Sequence, residues 1–223
     1  MKPALRRFGE GRHPVVVVDD FTGDVGKIVE IAAALAPFPA NADNHYPGLR
    51  RVIAEADTAA FAYADQVLRH AATFIGGGFG YDNFDWVGAS FSMVTTAPDA
   101  LTPPQRAPHF DSTDPGYLAV LHYLSNTAGT AFYRQRLTGI EQVDETNVGR
   151  FVDCARPRAA TAKGYIHGSD ASYEQIGLVE GVADRLVIYR GSLLHSGIIP
   201  PDAVFSADPR QGRLTANLFV QGR

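Results

Sequence analysis

The sequence has a single cysteine, Cys154, among 223 residues. One cysteine cannot form an internal disulfide, and it cannot supply a cysteine-rich zinc site. The fold is therefore expected not to depend on an oxidising compartment, and any metal site must use other side chains.

Long apolar segments are also missing. The longest β-branched run covers residues 15–18, which is far too short to span a bilayer. The first twelve residues include Lys2, Arg6 and Arg7, but no apolar stretch follows them that could act as a signal-peptide core. We therefore expect a cytoplasmic protein that does not bind membranes.

Clusters of basic residues are absent as well. The chain has 20 Lys and Arg residues against 24 Asp and Glu residues, which gives a formal net charge of −4. Such a balance gives no electrostatic basis for binding a nucleic-acid backbone. The expected partner is a small-molecule or peptide substrate, and the sequence leaves the oligomeric state open.

Two amphipathic segments precede a region with a different sequence pattern. The first is predicted as a helix over residues 25–35, following the β-branched run. The second is predicted over residues 57–75, where apolar side chains recur at spacings of three and four, and it is expected to end at the glycines 76–78.

From residue 86 onward, short β-type runs alternate with turn residues, a pattern typical of an antiparallel barrel or jelly roll. Residues 137–184 form a polar stretch that is long for an ordinary connection, and we expect a lid-like excursion over the barrel mouth. The predicted strands are 86–96, 117–124, 130–136, 185–189, 193–195 and 214–220.

These patterns predict one domain over residues 1–223. Residues 1–85 would supply an N-terminal strand and helical support, and residues 86–223 would form the jelly-roll core. The predicted class is mainly β with flanking α-helices.

The strongest chemical signal is His109 and Asp111, followed by His195. Two imidazoles and one carboxylate are the ligand set of non-haem iron(II) oxygenases, because they occupy one face of an octahedral ion and leave the other open. Residues i and i+2 of an extended segment point to the same side, so His109 and Asp111 can bind one ion.

A second signal lies near the end of the chain. Arg213 and Thr215 open an apolar strand and share one of its faces. An arginine inside a barrel needs an anionic partner, and its guanidinium matches a carboxylate bidentately. These two residues therefore predict a site for a ligand carboxylate.

Taken with these motifs, the chain resembles the prolyl-hydroxylase-like branch of the 2-oxoglutarate and iron(II)-dependent oxygenases. The run 15–21 before a helix is similar to the start of those domains, and His109-x-Asp111 to their first metal motif. Tyr123 stands where several members have a tyrosine that reaches the cosubstrate, and Arg213 stands where they have their carboxylate-binding cation.

The resemblance implies a double-stranded β-helix, or jelly roll, with N-terminal helices packed on one sheet. It also implies Fe(II), held by His109, Asp111 and His195, and 2-oxoglutarate, bound by Arg213 with Thr215 and Tyr123. The implied activity is hydroxylation of an amino acid, a peptide or a small molecule.

Three shorter motifs are similar to a bacterial subgroup of that branch: residues 46–48, 132–134 and 194–197. His45 and Tyr46 stand in a loop that could reach the mouth of the site, and Arg134 stands on a predicted barrel strand. These three residues are the candidate substrate contacts.

Two alternatives remain open at this stage. One is a cupin-like enzyme that uses the same metal ligands without 2-oxoglutarate. The other is a non-catalytic jelly-roll module that binds a metal or a small ligand. Halogenation is disfavoured, because Asp111 would occupy the ligand position that a halide needs.

Overall fold

The computed structural model describes residues 1–40 and 46–223, which form two antiparallel β-sheets and three α-helices. The large sheet has seven strands in the order β1-β2-β8-β5-β10-β4-β3, and the small sheet has three in the order β7-β6-β9. The elements are β1 (Lys2–Phe8), β2 (His13–Asp19), α1 (Val25–Ala34), β3 (Gly48–Val52), α2 (Thr58–Phe79), β4 (Phe84–Val94), β5 (Tyr117–Tyr123), β6 (Thr127–Gln135), α3 (Val148–Thr161), β7 (Tyr173–Gly181), β8 (Arg185–Arg190), β9 (His195–Gly197) and β10 (Leu214–Gly222).

The central strands of the large sheet are buried on both faces, and β2 shows how the sequence achieves this. Val16 and Val18 belong to the core cluster that includes buried residues of α1 and α2, whereas Val15 and Val17 belong to a cluster shared with the small sheet. Alternate residues of a strand point to opposite faces, so a continuous valine run suits a strand covered on both sides. The jelly roll with N-terminal helices on one sheet is thereby confirmed.

Helix α2 is one turn longer than the sequence predicts. It continues through Gly76, Gly77 and Gly78 and ends at Gly80, whose φ of 78° is left-handed. A Cβ at Gly78 would lie 2.6 Å from Val16 Cγ2, so this glycine lets the helix lie close against β2. The predicted stop at the glycines was wrong because the close approach to the sheet outweighs the low helix propensity of glycine.

Residues 137–184 differ from the expected single excursion. The last part of this segment is β7, which pairs with β6 along the edge of the small sheet, and the earlier part contains α3. Only the portion that precedes β7 lies outside the two sheets, and it includes Tyr165, which lines the central cavity.

The edges of the large sheet are β1 and β3, neither of which the sequence pattern predicts. Strand β1 is largely exposed and pairs with β2, and β3 pairs with β4. In the part of the chain that the structure describes, no helix is long and apolar enough to cross a membrane.

Candidate active site

The two candidate histidine ligands are joined by their backbones. The His109 N–H donates to the carbonyl of His195 and the His195 N–H donates to the carbonyl of His109, each over 2.9 Å. This isolated antiparallel bridge sets the residues directly opposite each other, so both imidazoles lie on one face with ring centroids 4.3 Å apart.

Asp111 completes the cluster. Its backbone N–H donates to the carbonyl of Gly191 over 2.6 Å. Its carboxylate oxygens lie 4.0 Å from His109 Nε2 and 3.7 Å from His195 Nε2, and one ligand atom from each residue lies within 4.8 Å of the others. A Cβ at Gly191 would lie 3.2 Å from Asp111 Cβ and 2.7 Å from a Tyr117 ring carbon, so glycine permits this approach.

The electrostatics of the cluster suit a metal ion. Burial lowers the pKa of His195 to about 4, although a hydrogen bond between its Nδ1 and the carbonyl of Leu193, over 2.8 Å, opposes the shift. A neutral imidazole that donates from Nδ1 presents the lone pair of Nε2, as a metal ligand must. Burial raises the pKa of Asp111, and the charges of His109 and Arg50 oppose that shift.

The cluster lies in a cavity of about 380 Å³ between the two sheets. Thr215 of β10 and Arg213, which directly precedes this strand, both line the cavity. Arg213 Nε is buried and has no hydrogen-bond partner among the described residues. A Cβ at Gly197 would lie 3.1 Å from Arg213 Nη2, so the glycine of β9 leaves room for the guanidinium.

Tyr46 lies beside Arg213 in the cavity wall. Its hydroxyl is buried and makes no hydrogen bond to any residue within 1–40 or 46–223. Burial raises the pKa of this phenol, and the positive charges of Arg213 and Arg50 lower it. Because buried polar groups are almost always paired, these unpaired donors fit an acceptor such as a carboxylate. The residues present therefore fit 2-oxoglutarate at one part of the cavity and a divalent metal at another.

The sequence over residues 1–220 matches one protein family, described as a family of unknown function (DUF6445). The chain belongs to this family. A search of curated proteins found no match for this DUF6445 chain.

Solved structures resemble the DUF6445 chain in fold at low sequence identity. The non-haem α-ketoglutarate-dependent epimerase SnoN from nogalamycin biosynthesis has a TM-score of 0.58 at 14% identity, over 95% of this chain and 80% of that one. HygX from Streptomyces hygroscopicus, solved with nickel, 2-oxoglutarate and hygromycin B, has a TM-score of 0.56 at 11% identity, over 93% and 82%. The carbocyclase SnoK, also from nogalamycin biosynthesis, has a TM-score of 0.53 at 11% identity, over 94% and 80%. These similarities show the double-stranded β-helix fold of 2-oxoglutarate oxygenases.

The structure places the other candidate residues of this DUF6445 chain differently. Tyr123 is fully buried, and its hydroxyl lies 2.5 Å from Thr130 Oγ1, so Thr130 lines the cavity and Tyr123 stands behind it. Arg134 lies away from the cavity, where it pairs with Glu141 and with Glu10. The structure therefore does not bring its guanidinium to the cavity, and carboxylates outside the cavity pair with it. His45 lies outside the described residues.

Several cavity residues were missed by the sequence analysis. Arg50 comes from β3, and Tyr165 comes from the segment between α3 and β7. Neither position carries a recognisable motif, because both reach the cavity through the arrangement of distant segments. Three further side chains that the sequence analysis did not single out also line the cavity: Tyr189, Asn217 and Phe219.

Proposed function

We propose that this chain is a 2-oxoglutarate- and Fe(II)-dependent dioxygenase that hydroxylates a small-molecule or peptide substrate. One observation carries the proposal: a His-Asp-His cluster and a buried, unpaired arginine nitrogen line the same cavity. The fold shared with SnoN and HygX supports it, since SnoN has been solved with Fe3+ and α-ketoglutarate and HygX with nickel and 2-oxoglutarate.

Each candidate site residue has a separate role in this proposal. His109, Asp111 and His195 would supply the three protein ligands of the metal. Arg213 binds the distal carboxylate of 2-oxoglutarate, with Thr215 and Tyr46 beside it. Iron(II) with 2-oxoglutarate supplies the oxidative activation of dioxygen, and it yields succinate and carbon dioxide as coproducts.

The protein also orients the substrate and excludes water. Tyr189 and Phe219 give the cavity an aromatic wall near the cluster, and the Tyr189 ring lies edge-on to His195 with centroids 4.8 Å apart. Tyr165 also lines the cavity, and its hydroxyl donates to the carbonyl of Thr96 over 2.7 Å. A substrate bound against these side chains would place its target C–H bond near the metal and shield reactive species from water.

The first test is anaerobic calorimetry of metal and 2-oxoglutarate binding, followed by succinate and oxygen measurements. We expect 2-oxoglutarate to bind only after the metal. The variants His109→Ala and Asp111→Ala should lose the affinity for the metal and the affinity for 2-oxoglutarate. A cupin-like enzyme would bind metal without 2-oxoglutarate affinity. A binding module would take up both and form no succinate with any substrate tested. If the unmodified protein bound neither the metal nor 2-oxoglutarate, the proposal would be disproved.

Arg213→Ala tests the cosubstrate clamp separately from the metal. We expect the dissociation constant of 2-oxoglutarate to rise by at least about 30-fold, because a charge-assisted bidentate pair is lost, while metal affinity stays unchanged. Arg210→Ala is the matched control, since Arg210 lies three positions earlier and pairs with Glu30 at the surface. An unchanged dissociation constant in Arg213→Ala would contradict the assigned role.

A further inference from the structure

A second arginine, Arg50, faces the same cavity as Arg213. Arg50 lies directly across from Ser92 of β4, and Ser92 lies across from Thr215 of β10. Directly opposed residues of antiparallel strands point to the same face, so Arg50 shares the inner face with the cavity-lining Thr215. Its neighbour Arg51 points to the opposite face of the sheet, the side of α2, and pairs with Asp57 over 2.7 Å.

The Arg50 side chain is held but not neutralised. Its guanidinium carbon lies 4.7 Å from the centre of the Tyr46 ring, a cation–π contact that fixes its position. Its Nε is buried without a hydrogen-bond partner, and no carboxylate of the described residues forms an ion pair with it. Arg50 is partly buried, and a partly buried cation is unfavourable unless an anion pairs with it.

With iron(II) and 2-oxoglutarate bound, the positive charge of Arg50 would have no opposite charge among the described residues that line the cavity. An iron(II) ion and Arg213 together carry three positive charges. Asp111 and the two carboxylates of 2-oxoglutarate carry three negative charges. Among the described residues that line the cavity, the positive charge of Arg50, whose field is felt at Asp111, is then left without a negative counterpart. A ligand with a single negative charge would complete the balance.

We infer that Arg50 binds the carboxylate of the substrate, and that the substrate is a small monocarboxylic acid. This inference rests on the proposed function and narrows it. The planar guanidinium fork matches a carboxylate bidentately, and one unmatched charge favours a carboxylate over a doubly charged phosphate. A cavity of about 380 Å³ that also holds the cosubstrate requires a compact molecule.

The test is calorimetry on the nickel(II)-loaded protein with saturating 2-oxoglutarate, which does not turn over. The probes are 3-phenylpropanoate and butanoate, each compared with its neutral amide, because the cavity combines aromatic walls with one unmatched cation. We expect each carboxylate to bind at least about tenfold more tightly than its amide. Arg50→Gln should remove this difference, Arg50→Lys should retain part of it, and the control Arg51→Gln should leave it intact.

Four outcomes would overturn the inference. They are no detectable binding of either carboxylate, equal binding of acid and amide, full retention of the difference in Arg50→Gln, and a loss of 2-oxoglutarate affinity in Arg50→Gln as large as in Arg213→Ala. The last would assign Arg50 to the cosubstrate instead. Failure of the unmodified protein to bind nickel and 2-oxoglutarate would be a distinct result, since it would remove the proposed function itself.

Discussion

At the scale of the residue, the carboxylate of Asp184 is part of a hydrogen-bond network on the opposite side of the large sheet from the cavity. Asp184 accepts hydrogen bonds from the Thr22 hydroxyl and the backbone N–H groups of Thr22 and Gly23, over 2.6 to 2.9 Å. Its Oδ1 also lies 3.0 Å from His122 Nε2, and His122 Nδ1 lies 2.7 Å from the Tyr63 hydroxyl. This network joins α2, the segment before α1 and the large sheet.

Asp184→Asn tests how much this network stabilises the fold. Hydrogen bonds from His122 and Thr22 hold the pKa of Asp184 below its ordinary value of 3.8, although burial opposes them. A depressed pKa gives stability that is present above pH 3.8 and is lost as the pH falls further. We expect the variant to lose about 2 to 4 kcal/mol of unfolding free energy at neutral pH.

The pH dependence gives the sharper measurement. Urea unfolding of both proteins from pH 7 to pH 2 should show a steeper acid loss in the unmodified protein, so that the two curves converge at low pH. Parallel curves would mean that the charge of Asp184 does not contribute.

Whether a site residue can be predicted from the sequence depends on how far it lies along the chain from the residues it meets in the fold. His109 and Asp111 form a short-range motif, so their shared direction follows from strand geometry alone. Arg50 could not be assigned in the same way, because the pair Arg50-Arg51 gives no sign of which residue faces inward. The direction is set by the pairing of β3 with β4.

At the scale of the element, the glycines at the end of α2 offer a matched pair of substitutions. A Cβ at Gly77 would meet nothing within 4 Å, whereas a Cβ at Gly78 would lie 2.6 Å from Val16 Cγ2. Both positions are helical, so alanine reduces the entropy of the unfolded chain equally in the two cases.

We expect Gly77→Ala to raise the free energy of unfolding by about 0.5 to 1 kcal/mol. Gly78→Ala should lower it by about 1 kcal/mol or more, because the clash with the sheet exceeds the gain in propensity. Thermal and urea denaturation would measure both. Stabilisation of similar size in the two variants would contradict the close packing of α2 on β2.

The elements that sequence analysis found are those with strong periodicity. α1 and most of α2 have clear apolar faces, and β2, β4, β5, β6, β8, β9 and β10 have apolar or alternating runs. α3 was missed because it is rich in charge, contains Pro157 and buries only Phe151. β7 was missed because an irregularity in its pairing with β6 breaks the alternation of its residues.

At the scale of the whole molecule, the candidate site joins the two sheets. In the proposed function, His195 of β9 in the small sheet would hold the metal with His109 and Asp111, and Arg213, which directly precedes β10 of the large sheet, would hold the cosubstrate. Ligands held by both sheets should therefore stabilise the folded state as a unit.

We expect nickel(II) with 2-oxoglutarate, each at about 100 times its dissociation constant, to raise the melting temperature by about 10 to 20 °C. 2-oxoglutarate alone should produce almost no shift, because the proposed function expects it to bind only after the metal. Differential scanning fluorimetry would measure this, with His109→Ala as the variant that shows no shift. An equal shift from 2-oxoglutarate in His109→Ala would place the cosubstrate elsewhere.

The exposed outer strand of the large sheet has a consequence for how copies of the molecule meet. Strand β1 leaves one row of backbone groups facing solvent, and such a row can template the addition of a strand from another molecule. Pro3 lacks an N–H at one position of this row, and Lys2, Arg6 and Arg7 place like charges along it. Two such strands brought together would repel each other, so the sheet resists growing into an aggregate even though its other strands are strongly apolar.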